Sequence, residues 1–428
     1  MINLNTLGNN LKRGILRFTA KISVGLSKPM QKFVAEMIYG IVASSDCKLT
    51  EIGRALKEDI SLKKTVDRLG RNLGSFCGND ALMANYLEAL RPSLGADTML
   101  LVDGGDVIKP CSPKMEAIGS VKDGSTGAFG NGYWTMGVAA LSKETRQPIP
   151  VYEKLYPCIK QGGKGTNAET EAALQYLREH FDNSVPRIFD SGFDSGDLLQ
   201  ELVGRDEKFI IRQCQNRVSV HNGKRAKIND VVRGIQCHHT LSYQGKSGEK
   251  MRCKIGITQV VLPNMKHLKL RMVVCKIFGK DPLVLYTNLD ESTELIAVRI
   301  VKAYLLRWRI EEYYAFKKEK GLQFEDFRVR SLEKIQTLDL LLTVAIGYIA
   351  ILCDKVNDKM YVLELLEISK RLQETSTFLK NIKFLCYAIH AGIKSALACL
   401  KRGISSYFSP HPFSNQICIF GFEKMGYL

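Results

Sequence analysis

Twice in this chain a short apolar run ends on an aspartate with glycine just beyond it: Thr98-Met-Leu-Leu-Val-Asp103-Gly-Gly and Val185-Pro-Arg-Ile-Phe-Asp190-Ser-Gly. Continuous apolar runs of this length read as strands buried on both faces, so they need a sheet with helices covering each side. Two such strands carrying carboxylates at their tips, 87 residues apart (190 − 103), are brought together only by a fold.

The segments between them supply one. Gly132–Leu141 and Pro148–Tyr156 read as strands joined by a polar turn at Lys143–Gln147, and with the Asp103 run they form a meander. Asn167–His180 reads as a helix, Asp197–Val203 as another, and Lys208–Arg212 as a strand. Three antiparallel strands, a helix, a strand, a helix and a strand is the order of an RNase H-like α/β fold with a mixed sheet and flanking helices. Asp106 and Asp194 are rivals to Asp103 and Asp190, but Asp106 is expected beyond the end of its strand. The glycines after the first aspartate and at 192 are expected to let a phosphate backbone approach.

A third acidic position lies on Tyr304–Lys320, Y-L-L-R-W-R-I-E-E-Y-Y-A-F-K-K-E-K. Taken as one regular helix with Tyr304 as origin, Arg307, Glu311 and Lys318 point at about −60°, −20° and −40°, so all four share a stripe. Glu312, ~100° away, leaves it. A phenol, a guanidinium, a carboxylate and an ammonium on one face suit phosphate and metal; the alternative is a solvated face of i,i+4 ion pairs. Trp308 reads as core more readily than as a platform for an extruded base.

This pattern, Tyr, two residues, Arg, three residues, Glu, six residues, Lys, resembles the signature of the IS4-type DDE transposases. V-D-G-G-D-V-I-K-P, G-Y-W, F-D-S-G-F-D and R-V-R-S-L-E-K-I-Q extend the resemblance over roughly residues 97–345. The family more often has Thr or Ser beside its first Asp, where Gly104 and Gly105 stand. The resemblance implies Asp103, Asp190 and Glu311 as catalytic metal ligands, and Tyr304, Arg307 and Lys318 as DNA contacts. Hard oxygen ligands select Mg²⁺ or Mn²⁺, and two ions suit phosphoryl transfer. The implied partner is double-stranded DNA, as terminal inverted repeats and target, held by a homodimer. The implied reaction is cut-and-paste transposition, against an RNase H-like nuclease that cleaves without joining or a DNA-binding derivative without catalysis.

Charge fits a polyanionic partner: 61 Lys and Arg against 44 Asp and Glu give +17, which favours nucleic acid or an anionic membrane surface. The 12 cysteines form no CxxC pair and Cys237-His238-His239 has no second ligand pair, so reduced thiols in a cytoplasmic, nucleoid-associated protein are expected. The longest apolar run, Leu340–Cys353, has 14 residues, short of a membrane span and apt for a buried helix.

The expected organisation is a helical DNA-binding region over 1–95, a catalytic domain from 96–212 and 291–350, a β-rich insertion over 213–290, and a helical C-terminal region over 351–428. In the first of these, Thr50 is expected to cap one helix. Ser61 should open another bearing Lys63, Lys64, Arg68 and Arg71. The chain then ends in an irregular tail from Ser406.

Overall fold

The computed structural model describes residues 2–214, 216–244, 250–263, 265–277, 281–290, 295–355, 360–375 and 385–408. Residues 245–249 and the tail beyond residue 408 lie outside them.

Five helices come first: α1 (Leu4–Ile22), α2 (Lys28–Ser44), α3 (Leu49–Leu56), α4 (Leu62–Gly74) and α5 (Asn79–Leu90). Thr50 is not a cap. It lies within the first turn of α3, whose N-cap is Lys48, and Ser61 precedes α4 without a side-chain capping bond. Arg68 is half-buried and engaged within the bundle. It pairs with Glu58 at 2.8 Å and with the buried Glu36, tying α4 to α2.

The meander follows as β1 (Leu100–Ile108), β2 (Gly119–Lys122), β3 (Phe129–Leu141) and β4 (Pro148–Tyr156). Then come α6 (Thr166–His180), β5 (Arg187–Phe189), α7 (Gly196–Gly204) and β6 (Phe209–Arg212). β1 is antiparallel to β3 and parallel to β5, β5 is parallel to β6, and β4 pairs with β3. The core order β4-β3-β1-β5-β6 is the expected RNase H-like sheet. β1 outruns its expected end. The glycines after Asp103 keep pairing with β3 as far as Ile108↔Gly132, so Asp106 lies inside the strand.

The insertion contributes β7 (Val218–His221), β8 (Lys224–Lys227), α8 (Ile228–Gly234), β9 (His239–Gln244), β10 (Lys250–Leu262), β11 (Met265–Ile277) and β12 (Leu283–Thr287). β12 hydrogen-bonds along β6, so the core sheet and the insertion form one mixed sheet of twelve strands among the described residues. After it run α9 (Ile296–Leu305), α10 (Arg309–Ala315), α11 (Leu332–Asp354), α12 (Met360–Thr375) and α13 (Leu385–Ala398).

The 14-residue apolar run forms part of α11, whose 23 residues are long and apolar enough to cross a membrane; 89% of its most apolar window is buried inside the protein. It packs on β4, α2 and α13, while α1 packs on α13, so the first and last helices share one bundle around it.

Candidate active site

The parallel register of β1 and β5 places Leu101 beside Ile188 and Val102 beside Phe189. The next residues in that register are Asp103 and Asp190. Asp103 is held within β1; Asp190 leaves the sheet at the end of β5, as the N-cap of a short 3₁₀ turn over Ser191–Phe193.

The third carboxylate arrives on a helical run that is not regular. α9 tightens into a 3₁₀ turn at Leu306–Trp308, continues as α10, and widens into a π-turn over Phe316–Lys320. A 3₁₀ turn advances faster around the axis than an α-helix and a π-turn more slowly. The expected common stripe therefore divides. Tyr304 and Arg307 meet the carboxylates. Arg307 donates from Nη1 to Asp103 Oδ2 at 2.9 Å and from Nη2 to Glu311 Oε1 at 2.6 Å, and the Tyr304 hydroxyl donates to Asp190 Oδ1 at 3.1 Å. Lys318 instead bonds Asp106 Oδ2 at 2.9 Å, further along β1.

The electrostatics follow this convergence. Burial pushes the Asp103 carboxyl up to about 6; the Arg307 guanidinium opposes that, and the charges of Asp190 and Glu311 reinforce it. Burial, then the Asp190 charge, raises the Tyr304 phenol to about 12, so it stays a donor. Arg307 is driven above its ordinary value, its partners outweighing its own burial.

Tyr314 fixes the helix to the strand. Its hydroxyl donates to the Asp103 carbonyl at 2.8 Å, and room for it is made by Gly137, where a Cβ would stand 2.5 Å from the Tyr314 and Glu153 oxygens. Gly105 has a related role: a Cβ there would meet Thr135 Oγ1 at 2.7 Å, so its bareness serves packing rather than phosphate approach. At Gly192 a Cβ would meet nothing within 4 Å.

The rival acids have other partners. Asp106 also accepts the Gly124 N–H at 3.1 Å, holding the tip of the β2–β3 hairpin. Asp194 is buried in an ion pair with Arg217 and accepts the Cys214 N–H at 2.9 Å, tying β5 to the insertion. Glu312 turns to Arg309 at 3.2 Å, with burial lifting it to about 7. Trp308 is not core: it is 37% exposed, with the Arg309 guanidinium 4.9 Å from its ring.

Sequence reasoning missed Arg212, whose Nη1 lies 3.9 Å from Asp190 Oδ1. The signal was present, since Phe209-Ile-Ile-Arg212 is a third apolar strand with a charged tip. It also missed Lys317, buried under the π-turn between Glu153 of β4 (2.9 Å) and Asp339 of α11.

Asp103, Asp190 and Glu311 fit a divalent metal by donor chemistry: oxygen ligands only, with mutual repulsion raising one of them. Among the described residues no three acidic, His or Cys side chains form a ready-made metal cage; the Arg307 guanidinium lies between Asp103 and Glu311. A cleft of about 720 Å³ opens beside Asp103 between the β2–β3 hairpin, α6 and α7; of the acids lining it, Asp106 is paired with Lys318, and Glu171 and Glu201 with Arg178.

No curated protein matches the chain. A solved piggyBac transposase synaptic complex with hairpin DNA is similar at a TM-score of 0.46 and 11% identity, over 97% of this chain and 82% of that one. A family described as "Transposase DDE domain" matches residues 133–347, half of the sequence. Asp190 and Glu311 lie within that span and Asp103 ahead of it. On that match, the chain belongs to the DDE transposases, divalent-metal-dependent enzymes of DNA transposition.

Proposed function

We propose that this transposase is of the IS4 type, and that Asp103, Asp190 and Glu311 hold two Mg²⁺ or Mn²⁺ ions at the point where DNA is cut. The reading is supported by one observation: the parallel pairing of β1 with β5 ends one residue before each of the two aspartates, and Arg307 links Asp103 to Glu311. When bound, the metal supplies activation of the attacking oxygen, from water or a DNA 3′-hydroxyl, and stabilisation of the leaving 3′-oxygen.

The chain's own groups do the rest. Tyr304 orients Asp190 through its hydroxyl, and Arg307 keeps the other two carboxylates aligned. A guanidinium has five N–H donors and an ammonium three. Arg307 and Lys318 therefore keep donors for DNA phosphates beyond the bonds described, the arginine in bidentate fashion and the lysine as a point charge. Two copies of the chain would hold two element ends. The setting is cytoplasmic, on nucleoid DNA.

Inverted repeats flanking the gene, built into a duplex, provide the substrate for the test. Purified protein should nick it with Mg²⁺ and join the freed 3′-end to a second duplex. Asp103→Ala, Asp190→Ala and Glu311→Ala should each abolish nicking while DNA binding survives. Nicking that persists in any of the three removes that residue from the site, and nicking without joining makes the protein a nuclease instead.

A further inference from the structure

At the far end of β1 from Asp103, a cleft of about 650 Å³ lies between the loop Lys109–Met115 and the segment Phe327–Arg330 that follows the catalytic helix. Its cations divide into two groups. Lys109 is buried and structural: Nζ donates to the carbonyls of Glu325 at 2.6 Å and Phe327 at 2.7 Å. Lys48 is neutralised by Asp46 at 2.8 Å and Asp326 at 3.0 Å. Lys114, Arg328 and Arg330, by contrast, are exposed and have no ion-pair or side-chain hydrogen-bond partner among the described residues.

These three are not loose surface charges. Between Arg328 and Arg330, both exposed, the Val329 side chain packs against the core. The two walls are joined where the Glu116 N–H donates to the Arg330 carbonyl at 3.0 Å and the Leu332 N–H to Glu116 Oε2 at 2.8 Å. The backbone under the cations is therefore fixed, and less order has to be created when a polyanion binds.

We infer that this cleft is a second binding site for the phosphate backbone of duplex DNA, separate from the carboxylate centre and engaged with the same duplex. The inference rests on the proposed function for its substrate. Lys109 is six residues beyond Asp103, and at ~3.3 Å per strand residue the two sites lie ~20 Å apart. At 3.4 Å per nucleotide of one strand, that separation corresponds to about six nucleotides from the cut. An open cleft with three long cations on its rim fits a continuous backbone better than a single small phosphate, which it would not enclose.

The test is equilibrium binding of a short duplex of arbitrary sequence across a salt series, in EDTA so that no cleavage occurs. Each phosphate contact contributes about −0.9 to the slope of log K against log salt. The variant Lys114→Ala/Arg328→Ala/Arg330→Ala should therefore have a slope shallower by roughly 2–3, with affinity lowered at least about tenfold at low salt. On the repeat duplex, ethylation of phosphates about six nucleotides from the cut should impair the wild type and not the variant. An unchanged slope in the triple variant overturns the inference. These side chains are exposed, so a circular dichroism spectrum matching the wild type is expected alongside. The two readings fail separately: nicking that persists in Asp103→Ala overturns the catalytic assignment, whereas an unchanged slope in the triple variant, whose carboxylates are in place, overturns only the cleft.

Discussion

Lys317→Met tests what aims the catalytic helix. Lys317 sits in the π-turn that continues the helix of Glu311, with its side chain 2% exposed, and it is the cation between Glu153 (1% exposed) and Asp339 (2% exposed). The Tyr313 hydroxyl donates to Glu153 Oε2 at 3.1 Å, so α10, β4 and α11 meet in one buried network. Removing one partner of a buried ion pair leaves uncompensated charge and costs about 3–5 kcal/mol. Glu153→Gln should cost much less, ~1 kcal/mol. Burial has already pushed the Glu153 carboxyl up against the pull of Lys317, so its charge is costly where it stands and a neutral Gln removes that cost.

Without the cation both acids rise further, and a group whose pKa is raised on folding destabilises the native state increasingly as pH climbs. The Lys317→Met deficit should therefore be largest at about pH 8 and shrink toward about pH 5.5. Urea unfolding at the two pH values measures this, with Glu153→Gln alongside. A Lys317→Met variant within about 1 kcal/mol of wild type, or a deficit that ignores pH, would refute the reasoning. At urea-free conditions where the variant is folded, nicking should still fall, because the π-turn and Glu311 share one helical run.

Two further outcomes follow from other titrating groups. Asp103→Asn should stabilise the metal-free chain near neutral pH by as much as ~2 kcal/mol, since burial makes the charged carboxylate costlier in the native state than in the unfolded chain; a lower melting temperature in EDTA would contradict the repulsion assigned to the site. His390 is buried beside Phe316 of the π-turn and bonded to Ser45 at 3.3 Å, and burial, then Lys394, lowers it to about 4. A depressed imidazole leaves the unfolded chain binding more protons, so stability should fall by up to ~3 kcal/mol as pH drops from about 6.5 to about 4, and His390→Gln should flatten that dependence.

Much of the core was legible because its signals are local. A buried strand has an apolar run whatever surrounds it, and a charge at its tip stands out against that background, which is how Asp103 and Asp190 are found and how Arg212 could have been. The β1 boundary was not legible. Gly104 and Gly105 look like a terminus, yet β3 offers partners as far as Gly132, and pairing across strands overrides local preference. The cap at Thr50 failed similarly, with α3 beginning at Leu49 without a side-chain cap.

By itself, then, the sequence determined the types and order of elements, the positive charge, and the three carboxylates as candidates, since each depends on residues close together along the chain. Only the tertiary structure decided that Lys318 serves Asp106 while Lys317 turns inward. On a regular helix that pair would point ~100° apart from a single axis, and the π-turn instead fits one side chain to a buried acid pair and the other to β1. The same holds for Arg307 between two carboxylates, a position set by a 3₁₀ turn no local pattern announces. Helix irregularities of this kind take their shape from what packs against them, and those partners lie scores of residues away.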